Sequence, residues 1–462
     1  MSAEVRSFDV IVIGMGPGGE QVAETLAQRG LRVLGIDHRL VGGECPYWGC
    51  IPSKMMIRAA DALQEARRIP GLAGSVGSIE PDWSIVAARI RAEATDDWDD
   101  QVAVDRFTSK GGTFVRGTGR IVGPGRVEVA GMTYAAERGI VVNSGTVPAV
   151  PPLPGLVDVP YWTNREAMEV TELPRSLIVL GGGAIGCELS QVFARFGVDV
   201  TVVEGADRLL ALEEPEAGEQ LRGVFEAEGM QVHTGAFAER VAVDRVGPAG
   251  AAGVAVTLPG GSVVRAEQLL VATGRRVDLG AVGLDAVGVD ATAQTVPIDD
   301  RCRVTDGVWA IGDITGKGAF THVSVYQAAI VIRDLLGEGG PAADYAALPR
   351  VTFTDPEVGA VGLTEAQARE AGLDVRVGLT DLEKTTRGWI HKSGNEGFIK
   401  VVADAGRGVL VGATAMGPGG GEVMGALAVA VHGQVPIERL RSMIYAYPTF
   451  HRGIEHAVGH LE

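Results

Sequence analysis

Residues 8–19 read FDVIVIGMGPGG, a short β-branched run that leads directly into a glycine-rich turn. A helical pattern follows the turn as far as Arg29, and the apolar run 31–36 then ends at Asp37. A strand, a glycine turn, a helix and a second strand in this order make up a βαβ unit. The stretch therefore predicts the start of a parallel sheet, with its glycines in the first turn.

The same order of elements recurs in the middle of the chain. Residues 176–186 read SLIVLGGGAIG, a helix is predicted to about Phe196, and the strand 198–203 ends at Glu204. One glycine motif of this kind is weak evidence, whereas two copies, each between a strand and a helix, are specific. The pair predicts an α/β fold with two Rossmann-like dinucleotide-binding domains.

Each glycine in such a turn has a separate physical role. The first permits the tight turn, the second lets a pyrophosphate approach the backbone, and the third lets the helix pack on the strand. The helix N-terminus offers N–H groups, and the acidic strand end accepts hydrogen bonds from ribose hydroxyls. The residues predicted to bind two nucleotides are Gly14, Gly16, Gly19 and Asp37 in the first unit, and Gly181, Gly183, Gly186 and Glu204 in the second.

Length and charge limit the remaining possibilities. The 462 residues suffice for about three domains, and their formal net charge of −17 opposes binding to nucleic acid. The sequence has no apolar run long enough to span a membrane and no secretory signal pattern, so we expect a cytoplasmic protein without a membrane partner.

Two of the four cysteines stand close together, in Cys45-Pro-Tyr-Trp-Gly-Cys50. No second Cys or His pair accompanies them, so a metal site is not predicted. A helix that begins at this point would stabilise a thiolate through its N–H groups and its dipole. Cys45 and Cys50 are therefore candidates for a redox-active dithiol, whereas the isolated Cys187 and Cys302 are expected to be small apolar core residues.

The segments outside the two units complete the expected architecture. A small β-meander at 119–142 leads to the proline-rich crossing 148–154, which suits a domain boundary. From Leu348 onward the pattern is typical of a separate α+β domain. Its predicted strands are 351–353, 397–402 and 409–415, and its predicted helices are 365–370, 421–431 and 437–443.

This combination resembles the pyridine nucleotide–disulfide oxidoreductases, the family of dihydrolipoamide dehydrogenase, glutathione reductase and mercuric reductase. The likeness covers nearly the whole chain, and its most specific element is 42–54, GGECPYWGCIPSK. Residues 352–362, TFTDPEVGAVG, are similar to the opening of the family's dimerisation domain. The resemblance implies a FAD-binding domain at 1–150 that resumes at 272–345, an NAD(P)-binding domain at 151–271 and a dimerisation domain at 346–462.

The resemblance also implies a role for each candidate residue. FAD lies on the first glycine turn with Asp313 at its ribityl chain, and the nicotinamide nucleotide lies on the second turn. Cys50 is the thiolate beside the flavin, and Cys45 is the outer thiol that attacks the acceptor. Lys54, with Glu188 as its ionic partner, stands at the reactive edge of the flavin. Further predicted cofactor-binding residues are Gly43, Gly145, Gly274 and Gly312. The active site is shared across a homodimer.

The chain departs from the family where the last domain should supply a histidine and a glutamate as acid–base pair. Tyr447 stands in place of the histidine and Arg452 in place of the glutamate. A phenol has a reference pKa of about 10 and is a poor base at neutral pH, which argues against rapid turnover of dihydrolipoamide or glutathione disulfide. His451 and Glu455 are four residues apart, and they either replace the pair or form an ordinary helix contact.

Three observations bear on the substrates. A tyrosine at 447 resembles mercuric reductase, but the Cys-Cys pair and the metal-carrier domain of that enzyme are not seen in this sequence. Tyr47 and Trp48 either stack a flat acceptor such as a quinone, or pack in the core. Glu204 repels a 2′-phosphate, which favours NADH over NADPH, although Arg208 lies close enough in sequence to soften that preference.

The leading hypothesis is a reductase that passes electrons from NADH, with NADPH as the alternative donor, through FAD and the Cys45–Cys50 pair to a small-molecule acceptor. That acceptor is a small or aromatic disulfide, a quinone or a metal ion. One alternative is a diaphorase, in which the flavin reduces a quinone directly, and another is a metal reductase similar to mercuric reductase. A non-enzymatic subunit that binds both nucleotides as structural or sensing ligands is a further alternative, which the dithiol and Lys54 argue against.

Overall fold

The computed structural model describes residues 5–246, 251–290 and 292–461. The described residues fall into two compact units. The first lies within Met1–Pro52, Ala88–Ala149 and Arg275–Asp344, and the second lies within Ser53–Ala87, Val150–Gly274 and Tyr345–Glu462. The division into the four sequence segments given above stays a prediction.

The main sheet of the first unit is parallel along most of its path. Its strands follow the order Arg303–Thr305, Val308–Ala310, Met132–Val142, Arg6–Ile13, Val33–Asp37 and Thr113–Arg116. Only the pairing of the first two strands in this path is antiparallel. Two short strands, Arg120–Gly123 and Arg126–Val129, join Met132–Val142 as an antiparallel meander. The meander predicted at 119–142 is therefore present.

The strand Arg6–Ile13 is buried on both faces at its C-terminal half. Val10 and Val12 belong to one core cluster, whereas Ile11 and Ile13 belong to another. Successive side chains of a strand point to opposite faces, so the continuous apolar run is explained by helices or meander on both sides of the sheet. The helices of the first unit include Pro17–Gln28, Glu44–Trp48, Gln101–Ser109, Leu279–Val282 and Thr321–Leu335.

The second unit contains its own parallel sheet. The strand order is Gln231–His233, Asp199–Val203, Ser176–Leu180 and Gln268–Val271. The helix Ala184–Arg195 connects the two central strands, as the second βαβ pattern predicts. An antiparallel sheet of Arg240–Val246, Ala251–Thr257 and Val263–Ala266 accompanies it, and the sequence pattern did not predict this sheet.

A five-stranded antiparallel sheet forms the rest of the second unit. Its order is Pro349–Thr352, Glu357–Gly362, Val409–Gly417, Phe398–Asp404 and Val375–Asp381. The edge strand Val375–Asp381 was not predicted, because only part of it is apolar and it alternates with polar residues. The helices of this unit include Asn164–Glu169, Pro215–Ala227, Glu365–Glu370, Thr386–His391, Gly420–His432, Ile437–Arg441 and Gly453–Gly459, and the helix Trp83–Arg89 begins in it. Over the described ranges, none of the helices combines the length and the apolar character that crossing a bilayer requires.

Lys400 is a charged residue inside the second unit. Its ammonium lies 2.9 Å from Glu214, 2.8 Å from Glu216 and 3.0 Å from Glu365. Burial alone would lower the pKa of Lys400, but hydrogen bonds with the three glutamates raise it above its ordinary value. Glu214 is itself buried, so removing the ammonium would leave a carboxylate without its compensating charge.

We predict that Lys400→Met lowers the melting temperature by roughly 5 °C or more, because an unpaired buried carboxylate costs about 3 kcal/mol. Thermal unfolding followed by circular dichroism measures the change. Lys384→Met is the matched control, since the Lys384 ammonium is exposed and pairs with a partly exposed Asp381. Equal melting temperatures for the two variants would show that the buried cluster adds nothing beyond a surface pair.

Candidate active site

Both glycine turns are held by the carboxylate at the end of the following strand. Asp37 accepts the N–H of Met15 at 2.8 Å, and Glu204 accepts the N–H of Gly182. In each turn the donor follows the first glycine and stands 22 residues before the carboxylate. Each carboxylate also accepts the N–H two residues further along the chain, from Arg39 and from Ala206. The two turns therefore share one hydrogen-bonding plan.

The glycines of the first turn differ in how much space surrounds them. Gly14 has a φ of +92°, and a Cβ there would overlap the carbonyl of Asn143. A Cβ on Gly19 would overlap the carbonyl of Gly14, so the helix packs closely on the turn. Gly16 meets only the side-chain amide of Asn143 and stands at the start of the helix Pro17–Gln28. This arrangement leaves the helix N-terminus accessible to an anion.

The second turn repeats this distribution of space. Gly181 has a φ of +110°, and a Cβ there would overlap the carbonyl of Ala272. A Cβ on Gly186 would overlap the carbonyl of Gly181, whereas nothing lies within 4 Å of such an atom on Gly183. Gly181 and Gly186 therefore suit close backbone packing, and the space at Gly183 suits a pyrophosphate. Both turns thus have the form that a dinucleotide requires.

The cysteine segment consists of two consecutive helices. The short helix Glu44–Trp48 carries Cys45 and ends at Gly49, whose φ of −133° and ψ of −114° interrupt the helical geometry. Cys50 begins the long helix Cys50–Leu72. The interruption brings the two sulfurs together, although the residues are five positions apart in sequence. Gly43, which precedes the short helix, would bring a Cβ to 2.9 Å from the Cα of Gly16.

The two thiols contact each other and share a neighbour. Both are half-buried and are not joined by a disulfide bond in this structure. The Sγ of Cys50 lies 3.4 Å from the hydroxyl oxygen of Thr321. A hydrogen bond with Cys50, together with burial, raises the pKa of Cys45 well above the ordinary range of a thiol. The two sulfurs therefore interact directly. No group of three or more His, Cys, Asp or Glu side chains is arranged to hold a metal ion in the described part of the chain.

Lys54 and Glu188 form the ion pair that was predicted between them. The ammonium lies 2.9 Å from one oxygen of Glu188, whose side chain is only 7% exposed. The other oxygen of Glu188 accepts the N–H of Phe353 at 2.8 Å, and the ammonium lies 4.5 Å from the centre of the Phe353 ring. Lys54 lies one helical turn after Cys50. Its ammonium is held by the Glu188 carboxylate and by the Phe353 ring.

Asp313 is fixed by two residues that the sequence analysis did not identify. Its carboxylate accepts a hydrogen bond from the Thr146 hydroxyl at 2.8 Å. Arg275 donates to the same hydroxyl oxygen at 2.7 Å and to the Thr146 carbonyl at 2.8 Å. The Arg275 guanidinium also lies 3.6 Å from Glu44, the first residue of the short cysteine helix. A chain of polar contacts therefore links Asp313 to the cysteine segment.

The remaining predicted glycines lie in left-handed backbone. Gly312 has a φ of +78° and donates its N–H to the buried Gln327 at 2.7 Å, and Gln327 in turn donates to the Thr315 hydroxyl at 3.1 Å. Gly145 and Gly274 have φ values of +66° and +113°, with no atom where a Cβ would stand. These two glycines therefore leave open space, whereas Gly312 belongs to a closed network.

Glu455, considered together with His451 as an acid–base pair, contacts Arg452 in the C-terminal stretch. Glu455 accepts a hydrogen bond at 2.7 Å from Arg452, three residues before it. The His451 ring packs at a tilt against Tyr445, with ring centres 5.9 Å apart. Tyr447 is 64% exposed and has the Arg452 guanidinium 5.0 Å from its ring centre. Arg452 and Glu455 are three residues apart, and this spacing brings the guanidinium and the carboxylate into contact.

Tyr47 and Trp48 were expected either to stack a flat acceptor or to pack in the core, and the structure gives them different surroundings. Tyr47 is buried, and burial raises its pKa to about 12. Its ring lies 5.9 Å from the ring of Trp48 at a tilt, and Trp48 is only half-buried. Tyr47 is therefore a packing residue, and only Trp48 keeps a surface for a ligand.

Arg208, considered as a residue that softens nucleotide preference, is engaged with the backbone. Its guanidinium donates to the carbonyls of Ala211 at 3.0 Å and Glu213 at 3.4 Å. These acceptors belong to the turn after Leu210. The effect of Arg208 on nucleotide preference stays a prediction.

Comparisons with protein families agree with this arrangement. Residues 8–328 match the family described as pyridine nucleotide-disulphide oxidoreductase, and residues 348–458 match the dimerisation domain of that family. Two nucleotide turns and a dithiol at a helix start define a flavin-dependent disulfide oxidoreductase. Its donor is NAD(P)H and its flavin is FAD.

Similar proteins cover almost the whole chain. A dihydrolipoyl dehydrogenase of Chlorobaculum tepidum is 33% identical over 97% of this chain and 96% of its own length. A mercuric reductase of Streptomyces lividans is 33% identical over 96% and 94%. Among solved structures, the HOCl-induced flavoprotein disulfide reductase RclA from Escherichia coli has a TM-score of 0.84 at 25% identity, over 98% of this chain and 100% of its own. This chain belongs to the pyridine nucleotide-disulphide oxidoreductase family.

Membership confirms the predicted family, fold class and enzyme type, and it removes the non-enzymatic alternative. The roles of the individual site residues stay predictions. Thr321, Thr146, Arg275 and Gln327 were missed. None of them stands in a motif, and Thr321 lies 271 residues from the cysteine that it contacts.

We predict that reduced Cys50→Ala protein is alkylated at Cys45 at least about tenfold faster at pH 8 than reduced wild type. The hydrogen bond with Cys50 raises the pKa of Cys45, so its removal lowers that pKa, and each unit gives tenfold more thiolate below both values. Iodoacetamide labelling with mass spectrometry of the Cys45 peptide measures the rate.

Cys302→Ala is the control for this labelling experiment, because Cys302 is fully buried. Its Cys45 should react at the wild-type rate. Equal Cys45 rates in wild type and Cys50→Ala would mean that the contact between the sulfurs does not govern the acidity of Cys45.

Proposed function

We propose that this enzyme passes electrons from NADH through FAD to the Cys45–Cys50 pair, and from Cys45 to an acceptor other than dihydrolipoamide or glutathione disulfide. One observation carries the proposal: the two sulfurs and Thr321 are in contact, as a dithiol requires, while the C-terminal stretch offers Tyr447 and an arginine-bound Glu455 where the family has its acid–base pair.

The donor half of the site rests on the two glycine turns. Bound FAD would supply the transfer of two electrons from the nicotinamide to a disulfide. The first turn, with Gly14, Gly16 and Gly19, holds the FAD pyrophosphate, and Gly181, Gly183 and Gly186 hold that of NADH. Asp37 and Glu204 accept from ribose hydroxyls. Gly43, Gly145, Gly274, Gly312 and Asp313 complete the binding surface.

Lys54 provides a positive charge next to the flavin. An ammonium favours extra negative charge at a nearby reduced ring, and Glu188 holds this ammonium by an ion pair of 2.9 Å. Because Glu188 is nearly buried and also binds the Phe353 backbone, it keeps the lysine in one position along its helix. Glu188 is thus a positioning residue in this proposal.

The two cysteines of the dithiol have different roles. The Cys45 thiol donates a hydrogen bond to the Cys50 sulfur and keeps its proton, which stabilises negative charge on Cys50, and the Thr321 hydroxyl oxygen lies 3.4 Å from that sulfur. Cys45 then reaches the acceptor as a thiol. An acceptor that itself takes up electrons readily, such as a quinone, an activated disulfide or a thiophilic metal ion, depends less on a protein base than an alkyl disulfide does.

In the proposed homodimer, the last domain of one subunit lines the acceptor-binding side of the active site in the other subunit. Residues 348–458 match a dimerisation domain, and Tyr447 and Ile444 are 64% and 97% exposed on the single chain. We place Tyr447 beside Cys45 of the partner subunit, with His451 behind it. The exposed phenol and the Arg452 guanidinium over its ring would then line the acceptor site.

A metal ion is the second candidate acceptor. The observation in its favour is that several relatives are named mercuric reductase, at 30–33% identity across the chain. A soft thiolate pair suits a thiophilic ion.

We predict that NADH oxidation is faster with quinones or aromatic disulfides than with lipoamide or glutathione disulfide, by at least about tenfold in kcat/KM. Cys45→Ala should abolish the reaction with the preferred acceptor, because the outer sulfur carries the electrons. Absorbance at 340 nm measures the rates, with Hg²⁺ as the metal acceptor in the same series.

The control is Cys302→Ala, which should keep full activity. Quinone reduction that survives Cys45→Ala would establish direct reduction by the flavin, the diaphorase alternative. Preference for lipoamide would refute the proposed acceptor class while leaving the donor half intact.

We predict that Glu204→Gln raises the NADPH-to-NADH ratio of kcat/KM by roughly tenfold. The substitution removes a negative charge that opposes a 2′-phosphate, and a change of this size corresponds to 1.4 kcal/mol. Steady-state kinetics with both nucleotides measures the ratio. Glu219→Gln, at an exposed position of the helix Pro215–Ala227, should leave the ratio unchanged, and an equal shift in both variants would contradict a specific role for Glu204.

A further inference from the structure

Phe237 is an aromatic residue whose side chain is directed away from the core. Its exposure is 72%, whereas its neighbours Ala236 and Ala238 pack against the core cluster that contains Val241 and Val254. A single exposed ring is ordinary on a protein surface. The position of this ring beside the second nucleotide turn makes it informative.

The ring covers Gly205, the residue after Glu204. A Cβ on Gly205 would overlap three carbons of the Phe237 ring, so the ring lies directly against the backbone at this point. Ala236 donates its N–H to the carbonyl of Glu204 at 2.9 Å, which holds the segment of Phe237 on the same stretch. Glycine at 205 is therefore required for the ring to occupy this place.

The Glu204 carboxylate determines which part of a nucleotide would face the Phe237 ring. This step rests on the proposed function, in which Glu204 accepts hydrogen bonds from the hydroxyls of a ribose. In adenosine the base is bonded to C1′, the carbon adjacent to the one that bears the 2′-hydroxyl. The base of a nucleotide held by Glu204 would consequently lie near Gly205, where the exposed Phe237 ring offers an aromatic surface.

We propose that Phe237 stacks on the adenine of the nicotinamide dinucleotide and is a positioning residue for the adenosine half of the donor. One edge or face of the ring rests on Gly205, and the exposed part meets the base. Base–aromatic stacking depends on the π-face rather than on hydrogen bonds. The residue therefore favours a dinucleotide over a nicotinamide mononucleotide, which has no adenine.

The test uses the FAD-loaded enzyme, so that the first nucleotide turn is occupied, and ADP-ribose as the probe. Phe237→Ala should weaken the calorimetric Kd for ADP-ribose by about tenfold, the range typical of loss of one stacked base. Phe237→Leu, which keeps apolar volume without a π-face, should lose nearly as much. Phe237→Trp should bind as well as wild type, and kcat/KM with reduced nicotinamide mononucleotide should be unchanged in all three variants.

Leu212→Ala is the matched control, since Leu212 is 85% exposed and should bind ADP-ribose like wild type. Wild-type affinity in Phe237→Ala, or full affinity in Phe237→Leu, would overturn the stacking role. An equal loss with the mononucleotide would also overturn it, because the ring would then support the fold rather than the base. If wild type does not bind ADP-ribose, the proposed function itself fails. If Glu204→Ala weakens binding while Phe237→Ala does not, only the present inference fails.

Discussion

The carboxylate that ends the second strand of each βαβ unit accepts the N–H group that follows the first glycine, and this hydrogen bond shapes both nucleotide turns. Asp37 serves Met15 and Glu204 serves Gly182, across the same separation of 22 residues. The bond holds each turn against its own strand end. Gly183 in the second turn has open space around it, Gly16 in the first meets only the side-chain amide of Asn143, and the helix N-terminus beyond each can receive a pyrophosphate.

The dithiol depends on a different local constraint, the interruption of the helix at Gly49. The break allows Cys45 to donate to Cys50, and that donation is the main cause of the raised pKa of Cys45. An outer sulfur that keeps its proton needs either a base or an acceptor that reacts without one. Glu455 is hydrogen-bonded to Arg452, so under the proposed function the acceptor is of the second kind.

Much of the fold follows from local sequence because glycine turns and apolar runs are local signals. The helix Glu365–Glu370 has the predicted bounds, and the two βαβ units agree to within two residues at most ends. The antiparallel sheet that begins with Arg240–Val246 was missed, since its strands carry charged residues on the exposed side. At the site, motifs identified the cysteines and Lys54, but Thr321 and Arg275 reach it only through tertiary contacts.

Glu188 divides its two oxygens between Lys54 and the backbone of Phe353. This division makes the spacing between Cys50 and Lys54 intolerant of insertion or deletion. One added residue would turn the lysine by about 100° around the helix axis, and the nearly buried carboxylate could not follow without abandoning Phe353. A change of length within this one helical turn would therefore separate the ammonium from Glu188, even if every residue of the cysteine motif were kept.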